Sequence, residues 1–395
     1  MHRAAAALRT RCAVGICAAG VLFAGCGAPQ PPVGAPGAIA QSVPHTQGNA
    51  PQSAGSPGIV HFVYVTNEGS NSVSAYAINA SSGALMQVNG SPFAAGSEPY
   101  GVTVDPDGKF AYVTNFGSNS VSAFAIDASS GALTQVKGSP FAAGGAPSAV
   151  AIDPTDKFAY VSNYGSANVS AYAINASTGA LKKVKGSPFA AGYGPSWVAV
   201  DPMGKFAYVT NQNRYSNNVS VYAINASRGT LTEVKGSPFA AGSAPTGVAI
   251  DAAGKFAYVT NFGSSNVSAY GINASSGALT QVKGSPFAAD YGPAGVAIDP
   301  AAKFIYVTNV DSDDVSAYAI NAKSGALIQV EGSPFAAGSD PYRIAIDPTG
   351  EFAYVTDLAS NNVSAYTINA SNGVLTQVKG SPFTAGSNPY AVAIR

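Results

Sequence analysis

The stretch Gly101–Val136, GVTVDPDGKFAYVTNFGSNSVSAFAIDASSGALTQV, decides how the whole chain reads. It holds four apolar runs, Gly101–Val104, Phe110–Thr114, Val121–Ile126 and Ala132–Val136. Asp105-Pro106-Asp107-Gly108 makes a tight turn after the first run. Asp127-Ala128-Ser129-Ser130-Gly131 makes another before the last, where Gly supplies a positive φ. Short runs between such clusters read as antiparallel strands, and no segment shows a helical period.

The same unit recurs along the chain. Tyr-Val-Thr-Asn begins at Tyr64, Tyr112, Tyr208, Tyr258 and Tyr306, with a Ser variant at Tyr160 and an Asp variant at Tyr354. Successive starts lie 48, 48, 48, 50, 48 and 48 residues apart. A fixed period of this size signals a solenoid or a propeller. The ends choose between them: the first unit lacks its opening strand, and the chain stops at Ala391-Val392-Ala393-Ile394-Arg395, an opening strand with nothing after it. One blade completed by both termini would close a ring and remove its open edges. The expectation is therefore an all-β, seven-bladed β-propeller over 59–395, with four antiparallel strands per blade.

Opening strands converging on an axis need small residues, and Gly101, Ala149, Gly247 and Gly295 supply them. The Phe of each Gly-Ser-Pro-Phe (Phe93, Phe141, Phe189, Phe239, Phe287, Phe335, Phe383) is expected to plug the joint between blades. Each would contribute about 1.5–3 kcal/mol if fully buried. Asp105/Lys109, Asp153/Lys157, Asp201/Lys205, Asp251/Lys255 and Asp299/Lys303 bracket one turn and are expected to form exposed ion pairs of small energy. Asn79-Ala80-Ser81 and its repeats match a glycosylation sequon but read better as hairpin turns.

Residues 1–25 read as a processing signal, with Arg3, Arg9 and Arg11 ahead of a short apolar run. Leu22-Phe23-Ala24-Gly25-Cys26 resembles the lipobox of bacterial lipoproteins, although Phe23 stands where Leu is usual. Cys26 would then carry the lipid and anchor the protein to a membrane, outside the cytoplasm. Ordinary signal-peptidase cleavage would instead leave a free secreted protein. Residues 26–58 form a Pro-, Gly- and Ala-rich tether, reaching ~30 Å as a coil. All three Cys lie at or before Cys26, so the repeat region holds no thiol.

Charged residues make up 10% of the chain, with 20 basic against 20 acidic. That is far below the roughly 25% of an ordinary soluble domain. A chain with no net charge and no basic stripe gives no footing for nucleic acid, and 20 Tyr with 18 Phe exclude disorder.

The Tyr-Val-Thr-Asn repeat, the Asp-Pro-x-Gly-Lys-Phe turn and the closing strand resemble the YVTN family of bacterial and archaeal β-propellers. That family overlaps with lactonase-like seven-bladed propellers, including 6-phosphogluconolactonase and carboxymuconate-cyclizing relatives, and also contains cell-surface proteins without known chemistry. The resemblance implies a site over the central channel. It lies on the face bearing the loops into the opening strands and the loops that follow Asn67, Asn115, Asn163, Asn211, Asn261, Asn309 and Asp357. In lactonase-like relatives His, Glu and Arg act around that channel. Here the repeats hold no His beyond His61, and the candidates are Glu98 and Asp340 as acids with Arg343 as an oxyanion or carboxylate clamp.

Two departures from the repeat stand out. The fourth unit carries a two-residue insertion, Asn211-Gln212-Asn213-Arg214-Tyr215-Ser216-Asn217, and Trp197, the sole Trp, where other units have Gly, Ala or Arg. Tyr164, Tyr193, Trp197, Arg214 and Tyr215 would form a stacking surface for a glycan, peptide or small molecule; alternatively, Trp197 fills space around the longer loop. In the sixth unit Asp311, Asp313 and Asp314 could bind calcium through oxygen ligands, or form a solvated acidic tip; no other cofactor is expected. The first reading is a monomeric, lipid-anchored binding scaffold at the cell surface or in the periplasm. The second is a lactonase-like hydrolase working at the channel.

Overall fold

The computed structural model describes residues 61–213 and 215–395; the expected leader, Cys26, the tether and Arg214 lie outside them. The described residues form seven antiparallel sheets arranged as a seven-bladed β-propeller around a common axis. The second blade shows the plan: Pro99–Val104 innermost, then Phe110–Asn115, Ser120–Ile126 and Leu133–Gln135. The outer strand is interrupted and resumes at Phe141–Ala142, which pairs with the other end of the third strand. At the interruption, Ser139 precedes a cis proline and its Oγ accepts from Ala123 N at 2.9 Å, replacing a ladder bond.

Ring closure follows the expectation from the two ends. The first blade takes its inner strand, Pro389–Ile394, from the C-terminus, pairing Val63 with Ile394 and Val65 with Val392. Arg395 N donates to Phe62 O at 2.9 Å, and His61 Nδ1 lies 2.8 Å from Arg395 O.

The Gly-Ser-Pro-Phe rings pack against the cores between neighbouring blades as expected, but tyrosines share the joining. Phe93, Phe141 and their equivalents are only half-buried, because each sits on a two-residue outer strand with solvent beyond it. The Tyr of each Tyr-Val-(Thr/Ser)-(Asn/Asp) is fully buried instead. Tyr64 OH donates to Gly131 O of the next blade at 3.1 Å, and Tyr112 OH to Gly179 O at 3.0 Å. A second Tyr points backwards: Tyr172 OH donates to Ala142 O of the preceding blade at 2.7 Å. Gly131 is required at this joint. Its φ is +73°, and a Cβ there would lie 2.2 Å from the Phe62 ring.

The expected Asp–Lys ion pairs do not form. Asp105 is 3% exposed, and its Oδ1 accepts from Lys109 N at 2.6 Å and Phe110 N at 2.9 Å. The same bonds recur at Asp153, Asp201, Asp251 and Asp299. Four or five residues apart, the carboxylate reaches the turn amides before it reaches the lysine head, and charge-assisted bonds of this kind are the strong ones. Lys109 turns outward to Asp107 at 2.9 Å. At the opposite hairpin, Asn79 Oδ1 accepts from Ser81 N and Ser82 N, which is the turn chemistry expected there.

Candidate functional site

Two sets of loops share the mouth face. Phe116 N donates to Glu98 O at 2.8 Å and Gly117 N to Ser97 O at 3.1 Å, tying the loop into the inner strand to the loop after the second strand. Neighbouring blades are stitched together as well: Glu98 N donates to Asn71 Oδ1 at 2.8 Å, and Asp340 N to Asp313 Oδ1 at 2.9 Å. Each inner strand is entered through a left-handed residue followed by Pro. Glu98 (φ 51°), Asp340 (φ 53°) and Gly194 (φ 64°) occupy this position.

At the first position after that Pro the pseudo-symmetry breaks. Blades three to five carry Ser148, Ser196 and Thr246, whose hydroxyls donate to Pro195 O, Pro245 O and Pro293 O of the next inner strand at 2.9–3.0 Å. Blades seven, one and two, which are adjacent, carry Tyr342, Tyr390 and Tyr100. These rings stack into an arc: Tyr342–Tyr390 centroids are 4.3 Å apart, Tyr390–Tyr100 3.9 Å and Tyr100–Phe116 4.3 Å. Tyr164 continues it at 6.2 Å from Phe116. Tyr390 OH donates to Tyr342 OH at 2.9 Å, so the Tyr342 proton is left to point elsewhere. Burial, and then Tyr342 and Tyr100, hold the Tyr390 phenol well above its ordinary value of 10.0.

One position further along stand the two bulky exceptions. Gly101, Gly247 and Gly295 are packed there against the neighbouring inner strand, with a Cβ at Gly247 meeting Ala294 O at 2.7 Å. Arg343 of blade seven and Trp197 of blade four fit because both reach inward, and residues three blades apart meet only across the axis. The Arg343 guanidinium lies 4.2 Å from the Trp197 ring centroid and 4.9 Å from that of Tyr342. It is 5% exposed; Nη1 donates to Ala294 O at 2.7 Å, and the buried Nε–H has no protein partner. A buried charged donor left in this way costs at least about 1–3 kcal/mol, which donating to a ligand oxygen would relieve.

The expected candidates divide between these features. Glu98 is exposed, its carboxyl carbon packed over Gly117, while Asp340 is half-buried at the entrance to the Tyr342–Arg343 strand. The Trp197 ring faces the Arg343 guanidinium and packs against the cores on either side of blade four. Tyr193 and Tyr215 are 64% and 72% exposed on the loops of blade four. Tyr164 Cε2 packs over Gly194, 3.1 Å from where a Cβ would stand.

Asp311, Asp313 and Asp314 have separate tasks. Asp311 packs against Gly292, Asp313 accepts from Asp340 N, and Asp314 is buried accepting from Asn309 Nδ2 at 2.6 Å. Burial, and then the carboxylate of Asp290 against the relief from Asn309, pushes Asp314 up to about 6. Among the described residues no three His, Cys, Asp or Glu are grouped to hold a metal ion. His61, held to Arg395 O, lies at the far end of the inner strands, where Arg395 Nε packs on Gly108.

The Tyr arc was missed from the sequence although its signal is present. Pro-Tyr occurs at Pro99-Tyr100, Pro341-Tyr342 and Pro389-Tyr390, in units that become neighbours only when the ring closes.

The profile of the family described as "Lactonase, 7-bladed beta-propeller" matches residues 57–200, 185–287 and 282–393, and the chain belongs to that family. Among solved structures it resembles a candidate 6-phosphogluconolactonase of Bacteroides uniformis, with TM-score 0.75, 20% identity, and coverage of 86% of this chain and 100% of that one. It also resembles the periplasmic gluconolactonase of Pseudomonas aeruginosa, with TM-score 0.72, 20% identity and coverage of 85% and 99%. The hydrazine synthase of Kuenenia stuttgartiensis shares the fold at TM-score 0.60 and 21% identity, covering 78% and 92%. No curated protein matches the chain.

Proposed function

We propose that the protein hydrolyses a lactone of a sugar acid at the channel mouth. One observation carries the reading: Arg343, whose buried Nε–H has no protein partner, lies over the ring of Tyr342, whose hydroxyl accepts from Tyr390, in a chain of the lactonase family. Arg343 and Tyr342 would polarise the lactone carbonyl and stabilise the oxyanion that forms on it. Asp340, half-buried above them, would take the proton of the attacking water. Water oxygen bonds to the carbonyl carbon, the ring C–O bond breaks, and the proton passes to the departing alkoxide. The product carboxylate would then face Arg343. The two gluconolactonase neighbours suggest gluconolactone, with or without a 6-phosphate, as the first compounds to try.

A non-catalytic binding scaffold, the first reading of the sequence, draws no support from the family or its neighbours. Lipid anchoring through Cys26 stays part of the proposal, with a site outside the cytoplasm suggested by the periplasmic neighbour. The test is lactone hydrolysis by the full chain, with Arg343→Ala and Asp340→Asn alongside. Turnover above the spontaneous rate that collapses in Arg343→Ala supports the reading. The absence of turnover on both lactones sinks it for these substrates.

A further inference from the structure

In six blades the Asn closing the second strand donates to the first residue of the third strand. Asn67 Nδ2 reaches Ser72 Oγ at 3.1 Å and Asn115 Nδ2 reaches Ser120 Oγ at 3.0 Å. Asn163 reaches Asn168 Oδ1 at 2.8 Å, Asn211 reaches Asn218 Oδ1 at 2.7 Å, Asn261 reaches Asn266 Oδ1 at 2.8 Å, and Asn309 reaches Asp314 Oδ1 at 2.6 Å. The seventh blade has Asp357 in this place, 0% exposed and directly opposite Asn362. Its two oxygens accept from Gly338 N at 3.2 Å and Ser364 Oγ at 2.7 Å. The buried Oδ1 of Asn362 has no partner. An ionised carboxylate has nothing to give it, whereas a carboxylic acid does.

We propose that Asp357 is protonated in the folded protein, donates that proton to Asn362 Oδ1, and so serves as a positioning residue for the channel mouth. The path from this carboxyl to the mouth is short. Gly338, held by Asp357 Oδ1, lies two residues before Asp340 and four before Tyr342. The adjoining Thr356 Oγ1 accepts from Arg343 N at 3.1 Å and donates to Tyr390 O at 3.0 Å. Asp357 thus supports the loop and strand that carry the candidate groups, at a spot where the other blades hold an amide that cannot titrate.

Burial is the main cause that pushes the Asp357 carboxyl up, to about 7. The charged group facing it from the neighbouring blade is Asp313, whose negative charge pushes in the same direction. On its own sheet, the Tyr366 phenol faces it and is itself raised, by burial first and by Asp357 in part. The sign follows from linkage. With its folded value above its unfolded one, the protonated carboxyl stabilises the fold at low pH, and that stabilisation is lost as pH rises to neutrality.

The structural half of this inference stands by itself; its consequence for turnover rests on the proposed lactonase site. Infrared difference spectra of the full chain against Asp357→Asn test the proton. A protonated-carboxyl band at about pH 5, lost above about pH 8 and missing in the variant, is the expected result. A spectrum without that band overturns the proposal, because Asn362 must then be flipped with its amide donating to an ionised Asp357. Trp197, the sole Trp, reports on positioning through the Arg343 stacked on it. Its emission should shift in the wild type with the midpoint of the infrared band and stay flat in Asp357→Asn. An Asp314→Asn control should keep the shift. A shift that persists in Asp357→Asn, or never occurs, overturns the positioning role without touching the lactonase reading. If hydrolysis is present, its pH profile should lose the same step in Asp357→Asn.

Discussion

The guanidinium of Arg343 stacks on Trp197 at 4.2 Å, joining blade seven to blade four across the axis of the ring. Both side chains stand at the position that other blades reserve for Gly or Ala, and together they occupy the channel. Arg343 is anchored at one nitrogen by Ala294 O, with Nε buried and without a protein partner. If this group stabilises a developing oxyanion, Arg343→Ala should lower lactone kcat about a hundredfold, the size of losing one oxyanion donor. Arg343→Lys should recover only part of it, since an ammonium cannot present the planar fork. Steady-state kinetics with Trp197 emission separates lost chemistry from a collapsed channel.

Tyr390 donates to Tyr342, which leaves the Tyr342 proton free for a ligand oxygen. Tyr342→Phe should therefore reduce turnover more than Tyr390→Phe, by about tenfold against a few-fold. Equal effects would place the two hydroxyls in a purely structural arc.

Gly131 combines φ +73° with a Phe62 ring where its Cβ would be. Gly131→Ala should destabilise the propeller by about 2–3 kcal/mol. Gly271 is the matched control. Its Cβ would meet only Thr280 O at 3.9 Å, and five of the other blades hold Ala there. Gly271→Ala should be neutral or stabilising by about 0.5 kcal/mol. Chemical denaturation of both variants decides whether the joint, rather than glycine content, sets the requirement.

Asp156 occupies the left-handed turn position that Gly108, Gly204, Gly254 and Gly350 fill elsewhere, with φ 58°. Its carboxyl is pushed up to about 6, by burial first and then by the neighbouring Asp105. Asp156→Gly should stabilise by about 1 kcal/mol through relief of the backbone alone. The gain should grow as pH rises from about 4 to about 6, where the wild-type carboxyl is forced to ionise beside Asp105. A gain that does not change with pH would mean that the two carboxylates do not interact.

Closure by Pro389–Ile394 leaves the first blade without an inner strand if residues 389–395 are removed. That truncation should broaden the unfolding transition and lower its midpoint, since blades then lie at open edges. Calorimetry on the truncated chain shows whether the ring unfolds as one unit.

The repeat at Tyr-Val-Thr-Asn, the Asp-Pro-x-Gly turns and the unmatched end strands determined the propeller, its blade number and its closure, because period and turn chemistry are local properties of a chain. The same local reading placed Phe141 in the joint and Asp105 on Lys109. The first holds only in part, since Phe141 packs on the core between blades two and three but stays half-buried; the second failed because hydrogen-bond choice depends on what lies within reach, and Asp105 finds its own turn amides. Arg343 and Glu98 were visible as exceptions within the repeat, but no spacing rule connects Arg343 to Trp197 or gathers Tyr342, Tyr390 and Tyr100 into one arc. Those contacts exist because ring closure brings the last inner strand beside the first and points side chains from opposite blades at a common axis. Tertiary structure alone also isolates Asp357. The substitution of Asp for Asn is plain in the sequence, but the stranded Asn362 oxygen that gives it meaning appears only where two strands of the seventh blade face each other.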